Sequence, residues 1–282
     1  MPMVVTLIAA QGSEEALRTA VAGLRVDWLG AGACDLVGAD GAAVRAAVAD
    51  RPIDVVIQPA AGRRKRLLVA DLESTIIENE MLEELADFLG MRAHVAEITR
   101  RAMNGEIDFV AALNERVALL KGLPTSVLDE AAARIRLMPG APALLATLRR
   151  NGVYTALVSG GFTVFAEPVA ARLGFDRVIA NRLEIDGGTL AGTLALPIVG
   201  AATKREALVS LAAELGIGLE ETMAVGDGAN DLPMLLEAGL GIAFHAKPAV
   251  AAAARWRIER ADLTALLYAQ GYRDAEIAAA QP

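Results

Sequence analysis

Over the first sixty residues, short apolar runs alternate with helical patterns. "MVVTLIAA" is a continuous apolar run of strand length. Ser13 follows as an N-cap candidate for the helical stretch "EEALRTAVAGL". "VDWLGAGACDLVG" reads as one bent strand or two, "GAAVRAAVAD" as a helix and "IDVVIQP" as a strand. The order is close to βαββαβ, which predicts a small α+β unit over residues 1–60. "PAAGRRKR" then reads as a solvated linker centred on residues 61–66.

From Arg66 the pattern changes. "RLLVAD" is uninterrupted apolar sequence, as expected of a parallel strand covered on both faces. Residues 78 to about 135 carry only helical periodicity, and Gly90, Gly105 and Gly122 are placed to close successive helices. This predicts a four-helix insert. Beyond it come a helix ("PALLATLRRNG"), a strand and turn ("VYTALVSGG"), a helix ("VFAEPVAARLG") and a strand ("RVIAN"). A hairpin follows ("RLEIDGGTLAGTLAL", turning at Asp186-Gly187), then a helix ("KREALVSLAAELG"), a strand and turn ("TMAVGDG"), a helix ("NDLPMLLEAG") and a strand ("LGIAF"). Strands alternating with helices predict an α/β unit over 67–282, a doubly wound parallel sheet. In such sheets ligands bind beyond the carboxyl ends of the strands.

Composition narrows the classes of function. The chain has 282 residues, 54% hydrophobic, with a formal net charge of −8. An acidic surface repels phosphate backbones, so nucleic acid is not an expected partner. The one basic run, "RRKR" at Arg63 to Arg66, is expected to be part of the solvated linker. No apolar run reaches the ~20 residues that span a bilayer, and the N-terminal run has no basic leader, so neither a membrane span nor a signal peptide is expected. A single cysteine, Cys34, fits a reducing compartment, and the cytoplasm is the expected location. With only His94 and His245 present, a His/Cys zinc site has too few ligands.

The strand-tip rule also says where chemistry can collect. "LLVA" ends in Asp71-Leu72-Glu73-Ser74-Thr75, "YTALV" in Ser159-Gly160-Gly161, and "TMAV" in Gly226-Asp227-Gly228-Ala229-Asn230-Asp231. Each group has an ordinary reading: Asp71, Ser159, Asn230 and Asp231 as turn or cap residues, Asp227 as a tight turn, Lys204 as a solvated first-turn lysine. If the three strands are neighbours, the acidic residues meet in one crevice. Crowded carboxylates repel, and a hard divalent cation such as Mg2+ would relieve them.

"DLEST", "VSGG", Lys204 and "GDGAND" resemble, in order, the four motifs of the haloacid-dehalogenase superfamily. From about Leu67 to Leu266 the chain resembles the phosphoserine phosphatases of that superfamily more closely, through "STIIENE", "AMNGEIDFVAALNERVALLKGL", "MPGA", "VSGGFTVFAE", "LGFDRVIANRL", "TKREAL" and "AVGDGANDLPML". The N-terminal unit looks like a reduced version of the regulatory-type (ACT-like) domain found ahead of some bacterial members. The resemblance implies Mg2+-dependent hydrolysis of O-phospho-L-serine, the last step of serine biosynthesis. It casts Asp71 as nucleophile and Glu73 as acid and base. Asp71, the carbonyl of Glu73 and Asp227 would hold the metal, with Asp231 behind them. Ser159, Gly160, Lys204 and Asn230 would hold the phosphate. Glu80 would take the substrate ammonium and Arg116 its carboxylate, under a cap closed by Met103 and Phe109. A homodimer through the N-terminal unit is a further expectation. Glu73 departs from the family, which carries Asp there. A bacterial relative that moves phosphate from phosphoserine to homoserine also has Glu, so transfer, action on another small phosphomonoester, or a weakened binding protein stand as alternatives.

Overall fold

The structure is a computed structural model that describes residues 2–279; the outermost ends of the two predicted units, residue 1 and residues 280–282, lie outside the described residues. The N-terminal unit runs β1 (Met3–Ala9), α1 (Glu14–Ala20), β2 (Asp27–Gly30), β3 (Ala33–Val37), α2 (Gly41–Ala47) and β4 (Ile53–Pro59). Its strands form an antiparallel sheet in the order β2-β3-β1-β4. "VDWLGAGACDLVG" is therefore two strands. Ser13 stands at the N-cap of α1 but makes no capping bond with its side chain, whereas Asp40 caps α2 by accepting from the amides of Ala42 and Ala43.

β1 is buried along almost its whole length because both of its faces are covered. Val5, Leu7 and Ala9 point one way and pack with Leu17, Val21 and Val48 beside the two helices. Ile8, on the alternate face, joins the main core of the chain together with Leu29, Ala33 and Val56. The N-terminal unit is thus docked rather than tethered. The buried Asp54 carboxylate accepts from the amides of Glu259, Arg260 and Ala261 at 2.9–3.1 Å. Trp256 Nε1 donates to the Ile57 carbonyl at 2.7 Å, and Gln58 donates to the Ala269 carbonyl at 2.6 Å.

The expected solvated linker is likewise anchored. Arg63 pairs with the buried Asp35, Arg64 with Glu276 and Arg66 with Glu221. Lys65 is buried and donates to the carbonyls of Gly62 and Glu220. Lys65 and Arg66 are held by the same turn, Leu219–Glu221, and Arg63 and Arg64 by two other parts of the chain. The outer edge, β2, is also met by the chain itself: Arg273 donates to the Trp28 carbonyl and pairs with Asp27. A dimer formed through that edge would have to displace Arg273.

The rest of the chain runs β5 (Leu67–Ala70), then α3 (Met81–Asp87), α4 (Arg92–Met103), α5 (Phe109–Ala118) and α6 (Ser126–Ala132), the four predicted insert helices. Gly90, Gly105 and Gly122 follow three of them in the left-handed region, with φ of 66°, 75° and 85°. Next come α7 (Ala141–Arg150), β6 (Tyr154–Phe162), α8 (Thr163–Leu173), β7 (Arg177–Asn181), β8 (Leu183–Asp186), β9 (Thr189–Leu194) and α9 (Ala201–Glu214). The chain closes with β10 (Thr222–Gly226), α10 (Leu232–Glu237), β11 (Leu240–Phe244), α11 (Pro248–Ala253), β12 (Trp256–Ile258) and α12 (Ala265–Ala269). Among the described residues no helix is long and apolar enough to cross a membrane.

Six strands make one parallel sheet in the order β12-β11-β10-β5-β6-β7. β5 lies between β10 and β6, so the three polar strand tips are neighbours. The chain builds outward from β5 through β6 to β7, then returns to place β10 on the other side of β5. That reversal opens a crevice at the carboxyl ends of β5 and β10. Two local readings are corrected. "VSGG" is not a turn: β6 continues to Phe162 through an irregularity between Ser159 and Phe162. The hairpin turns at Gly187-Gly188, because Asp186 pairs with Thr189 and both glycines have positive φ, 55° and 83°. The hairpin braces the insert, with Gly122 and Leu123 hydrogen-bonded to Leu190.

Replacing Asp54 with Ala would leave three backbone donors between β4 and the 259–261 turn without their acceptor. A buried donor without a partner costs about 1–3 kcal/mol, so D54A is expected to lower unfolding stability by at least about 2 kcal/mol in urea titrations. A change below about 0.5 kcal/mol would show that the docking does not depend on this carboxylate.

Candidate active site

The site grows from the ends of the central strands. The amide of Asp71 donates to the Val225 carbonyl at 3.0 Å, one residue beyond the β5 ladder, so its carboxylate projects over the tip of the sheet. Lys204, in the first turn of α9, is completely buried, and its ammonium lies 2.6 Å from Asp71 Oδ1 and 2.6 Å from Asp231 Oδ1. Asp231 Oδ2 accepts from the amides of Asp227 and Gly228, shaping the "GDGAND" loop. Both Asp231 oxygens are therefore engaged, whereas no described residue donates to Asp71 Oδ2. Gly226 is required here: a methyl group on it would come 2.4 Å from the Asp231 carboxyl carbon.

A narrow cavity opens over these tips. Asp71, Gly160, Gly161, Asp227 and Asn230 line it from the sheet, and Glu80, Met103, Phe109 and Arg116 line it from the insert, which acts as a cap. Lys204, Ser159 and Asp231 stand behind this wall. Ser159 Oγ accepts the Gly161 amide at 2.9 Å and holds the irregular end of β6, while Asn230 Oδ1 is buried without a hydrogen-bond partner. The cap is closed down on the sheet. The Met103 carbonyl accepts the Ala229 amide at 2.9 Å, and the Phe109 ring stands where a methyl group on Gly160 would be, 2.6 Å from it.

Glu73 bridges the two halves. Its Oε1 accepts the Met81 amide, the first residue of α3, at 2.8 Å, and its carboxylate packs against Gly161. The extra methylene relative to Asp is what carries the carboxylate to the helix terminus. Ser74, left-handed with φ 54°, turns the chain so that its hydroxyl donates to Glu80 Oε1 at 2.6 Å. Arg116 is buried, donates to the Ala112 carbonyl and to Thr99 Oγ1, and forms no ion pair among the described residues.

The electrostatics follow from this crowding. Burial, then the charge of Asp231, pushes the Asp71 carboxyl up to about 7 against the pull of Lys204. Burial and Glu80 push Asp227 up to about 7, with Lys247 pulling the other way. Burial and Glu80 push Glu73 up to about 8, opposed by the Met81 amide and Arg116. Burial also raises Glu80 and lowers Arg116. For Lys204 burial works against the ammonium, but Asp231 and Asp71 outweigh it and hold its pKa above the ordinary value.

The donor set suits a hard divalent cation. Asp71, Asp227 and Asp231 can each offer a carboxylate oxygen with all three within 4.8 Å of one another. Because Asp231 is saturated, Asp71 and Asp227 are the residues free to ligate directly. Two contributors escaped the sequence reading. Lys247 follows the tip of β11, and Asn181 ends β7, where it donates to the Gly160 carbonyl at 2.8 Å. The strand-tip rule, extended to those two strands, would have pointed to both.

Residues 68–236 match the family described as haloacid dehalogenase-like hydrolase. The chain belongs to that family. It is 45% identical over 234 residues to a phosphoserine phosphatase of Mycobacterium tuberculosis, a match covering 82% of this chain and 57% of the relative's length. The chain thus spans a little over half of that curated relative. Among solved structures it resembles a HAD family hydrolase from Salmonella enterica serovar Typhi, with TM-score 0.82 and 32% identity over 97% of this chain and 99% of the other. It also resembles a phosphoserine phosphatase solved as an analogue of its phospho-aspartyl intermediate, with TM-score 0.70 and 40% identity over 73% and 98% of the two chains.

The raised carboxyls make the site pH-dependent. A carboxyl raised in the folded chain contributes stability that is complete below its unfolded value, near 3.8 for Asp, and lost as the pH rises through about 7 for Asp71 and Asp227. Cation-free protein should therefore lose stability through these groups between about pH 4 and pH 8. Cation binding requires them ionised, so the Tm gain on adding a divalent cation should grow from pH 5 to pH 8. An equal gain at both pH values in thermal melts would contradict this account.

Proposed function

We propose that the chain hydrolyses O-phospho-L-serine to L-serine and phosphate, using Mg2+. The observation that carries this reading is the composition of the cavity: one space lined from the sheet by Asp71 and from the cap by both a carboxylate, Glu80, and a guanidinium, Arg116. That combination complements a phosphate monoester whose other end is a zwitterionic amino acid. The likeness to phosphoserine phosphatases supports the same substrate.

The two Asp71 oxygens have separate duties. Oδ1 is held by Lys204, and Oδ2 is left to attack phosphorus, so the phosphoryl group is carried on the carboxylate. Glu73, raised to about 8, is protonated near neutral pH and can give its proton to the departing serine oxygen. The resulting carboxylate then takes a proton from the water that releases phosphate and regenerates Asp71. The amide of Gly160 and the side chain of Asn230 are assigned to the phosphoryl oxygens from the cavity wall, with Ser159 and Lys204 assigned to them from behind it, Lys204 acting across Asp71 in this arrangement. Mg2+ held by Asp71, the Glu73 carbonyl and Asp227, with Asp231 behind, would supply the positive charge that lets two anions approach. Glu80 receives the substrate ammonium and Arg116 its carboxylate, and the closed cap keeps bulk water out.

Phosphate release from a panel of phosphomonoesters with Mg2+ tests the assignment. D71N should be inactive. E73Q should lose about 10²–10⁴-fold, and E73D should remain active because it keeps an acid at the position. A fully active D71N would refute the nucleophile. Production of phosphohomoserine with no free phosphate when homoserine is added would make transfer, not hydrolysis, the main reaction.

Arg116 gives a separate handle on specificity. Wild type should prefer phosphoserine to O-phosphoethanolamine, which lacks the carboxylate. R116M should erase about 10–100-fold of that preference in kcat/KM, the worth of one charge-assisted recognition. An undiminished preference would remove Arg116 from substrate recognition.

A further inference from the structure

Lys247 belongs to none of the four motifs, yet the structure brings it against the Asp227 carboxylate. Its ammonium lies 3.2 Å from Asp227 Oδ2, an atom that is buried and has no aligned hydrogen-bond donor. The contact is made twice, because the Lys247 amide also donates to the Asp227 carbonyl at 3.0 Å. No described residue donates to Asp227 Oδ1, and Asp227 lines the cavity while Lys247 does not. The ammonium stands outside the cavity lining, where it also meets the charges of Glu80 and Glu83 from the cap.

The loop that carries Lys247 is held firmly in place. His245 adopts a left-handed backbone, φ 44°, a conformation that a non-glycine residue keeps only when its surroundings impose it. Its amide donates to the Ile258 carbonyl at 2.8 Å, its Nε2 lies 2.9 Å from the Ala261 carbonyl, and its ring stacks on Phe244 at 4.1 Å. The sharp reversal at His245 turns the chain back so that Lys247, at the N-cap of α11, reaches across to the β10 tip. Three anchors and one strained residue thus maintain a single ion pair.

We infer that Lys247 is a positioning residue for the metal ligand Asp227: its ammonium occupies the buried Oδ2 and so leaves Oδ1 turned toward the cavity for the divalent cation. The inference rests on the proposal that Asp71 and Asp227 hold such a cation. Partners that orient a ligating carboxylate are typically worth 10–100-fold in metal affinity. The sign of the effect is diagnostic. A lysine acting only through its charge would repel the cation, and its removal would tighten binding.

Titration calorimetry with Mg2+ or Mn2+, on the full chain without substrate, separates the outcomes. K247M should weaken cation binding about 10–100-fold, and K247R, which keeps the charge, should stay within a few-fold of wild type. Far-UV circular dichroism and Tm confirm that each variant is folded, and K247Q replaces K247M if the latter is not. Unchanged or tighter cation binding by a folded K247M or K247Q overturns the role of Lys247 alone. Absence of binding by wild type overturns the cation site itself.

Discussion

Lys204 is fully enclosed, and its ammonium bridges Asp71 and Asp231 at 2.6 Å each. A charge buried this deeply persists only when opposite charges surround it, and removing one member of such a group typically costs 3–5 kcal/mol. The arrangement of the site follows from that contact. Lysine takes one oxygen of Asp71 and so leaves the other without a donor among the described residues. It takes one oxygen of Asp231 and so lets the second gather the amides of Asp227 and Gly228. Asp71 and the "GDGAND" loop are therefore positioned by one buried cation delivered from α9.

Around that centre the acidic groups are held in a state they would not choose in water. Asp71, Glu73, Glu80 and Asp227 all have raised pKa values, chiefly because they are buried together. The same frustration serves two purposes. It makes the crevice receptive to a divalent cation, and it favours the protonated form of Glu73, the acid in the proposed reaction. The longer side chain at position 73 is not idle length, since it ties the acid to the first amide of the cap helix α3. Cap closure and the placement of the acid are in this way one geometric event.

The N-terminal unit shows a second use of buried polar contacts. One face of its sheet joins the main core, and Asp54, Gln58 and the Trp256 indole fix β4 to the C-terminal third of the chain. The basic run that follows β4 is spent on four separate anchors.

The order of strands and helices as far as β11, the four-helix insert and the polar strand tips could be read from apolar periodicity, because period and burial are linked locally, whereas the short α11, β12 and α12 went unread. The gathering of Asp71, Glu73, Ser159, Asp227, Asn230 and Asp231 around one crevice was legible because parallel sheets put their polar groups at strand ends. What local pattern could not show was which oxygen faces which partner. That Lys204 enters from behind Asp71, that Glu73 reaches the amide of Met81, that "RRKR" is anchored and that Lys247 meets Asp227 depend on contacts between residues up to 212 positions apart. Such pairings are decided by packing of whole elements. The sequence alone therefore determined the inventory of reactive groups and their place on the fold, and only the tertiary structure decided how each was oriented and charged.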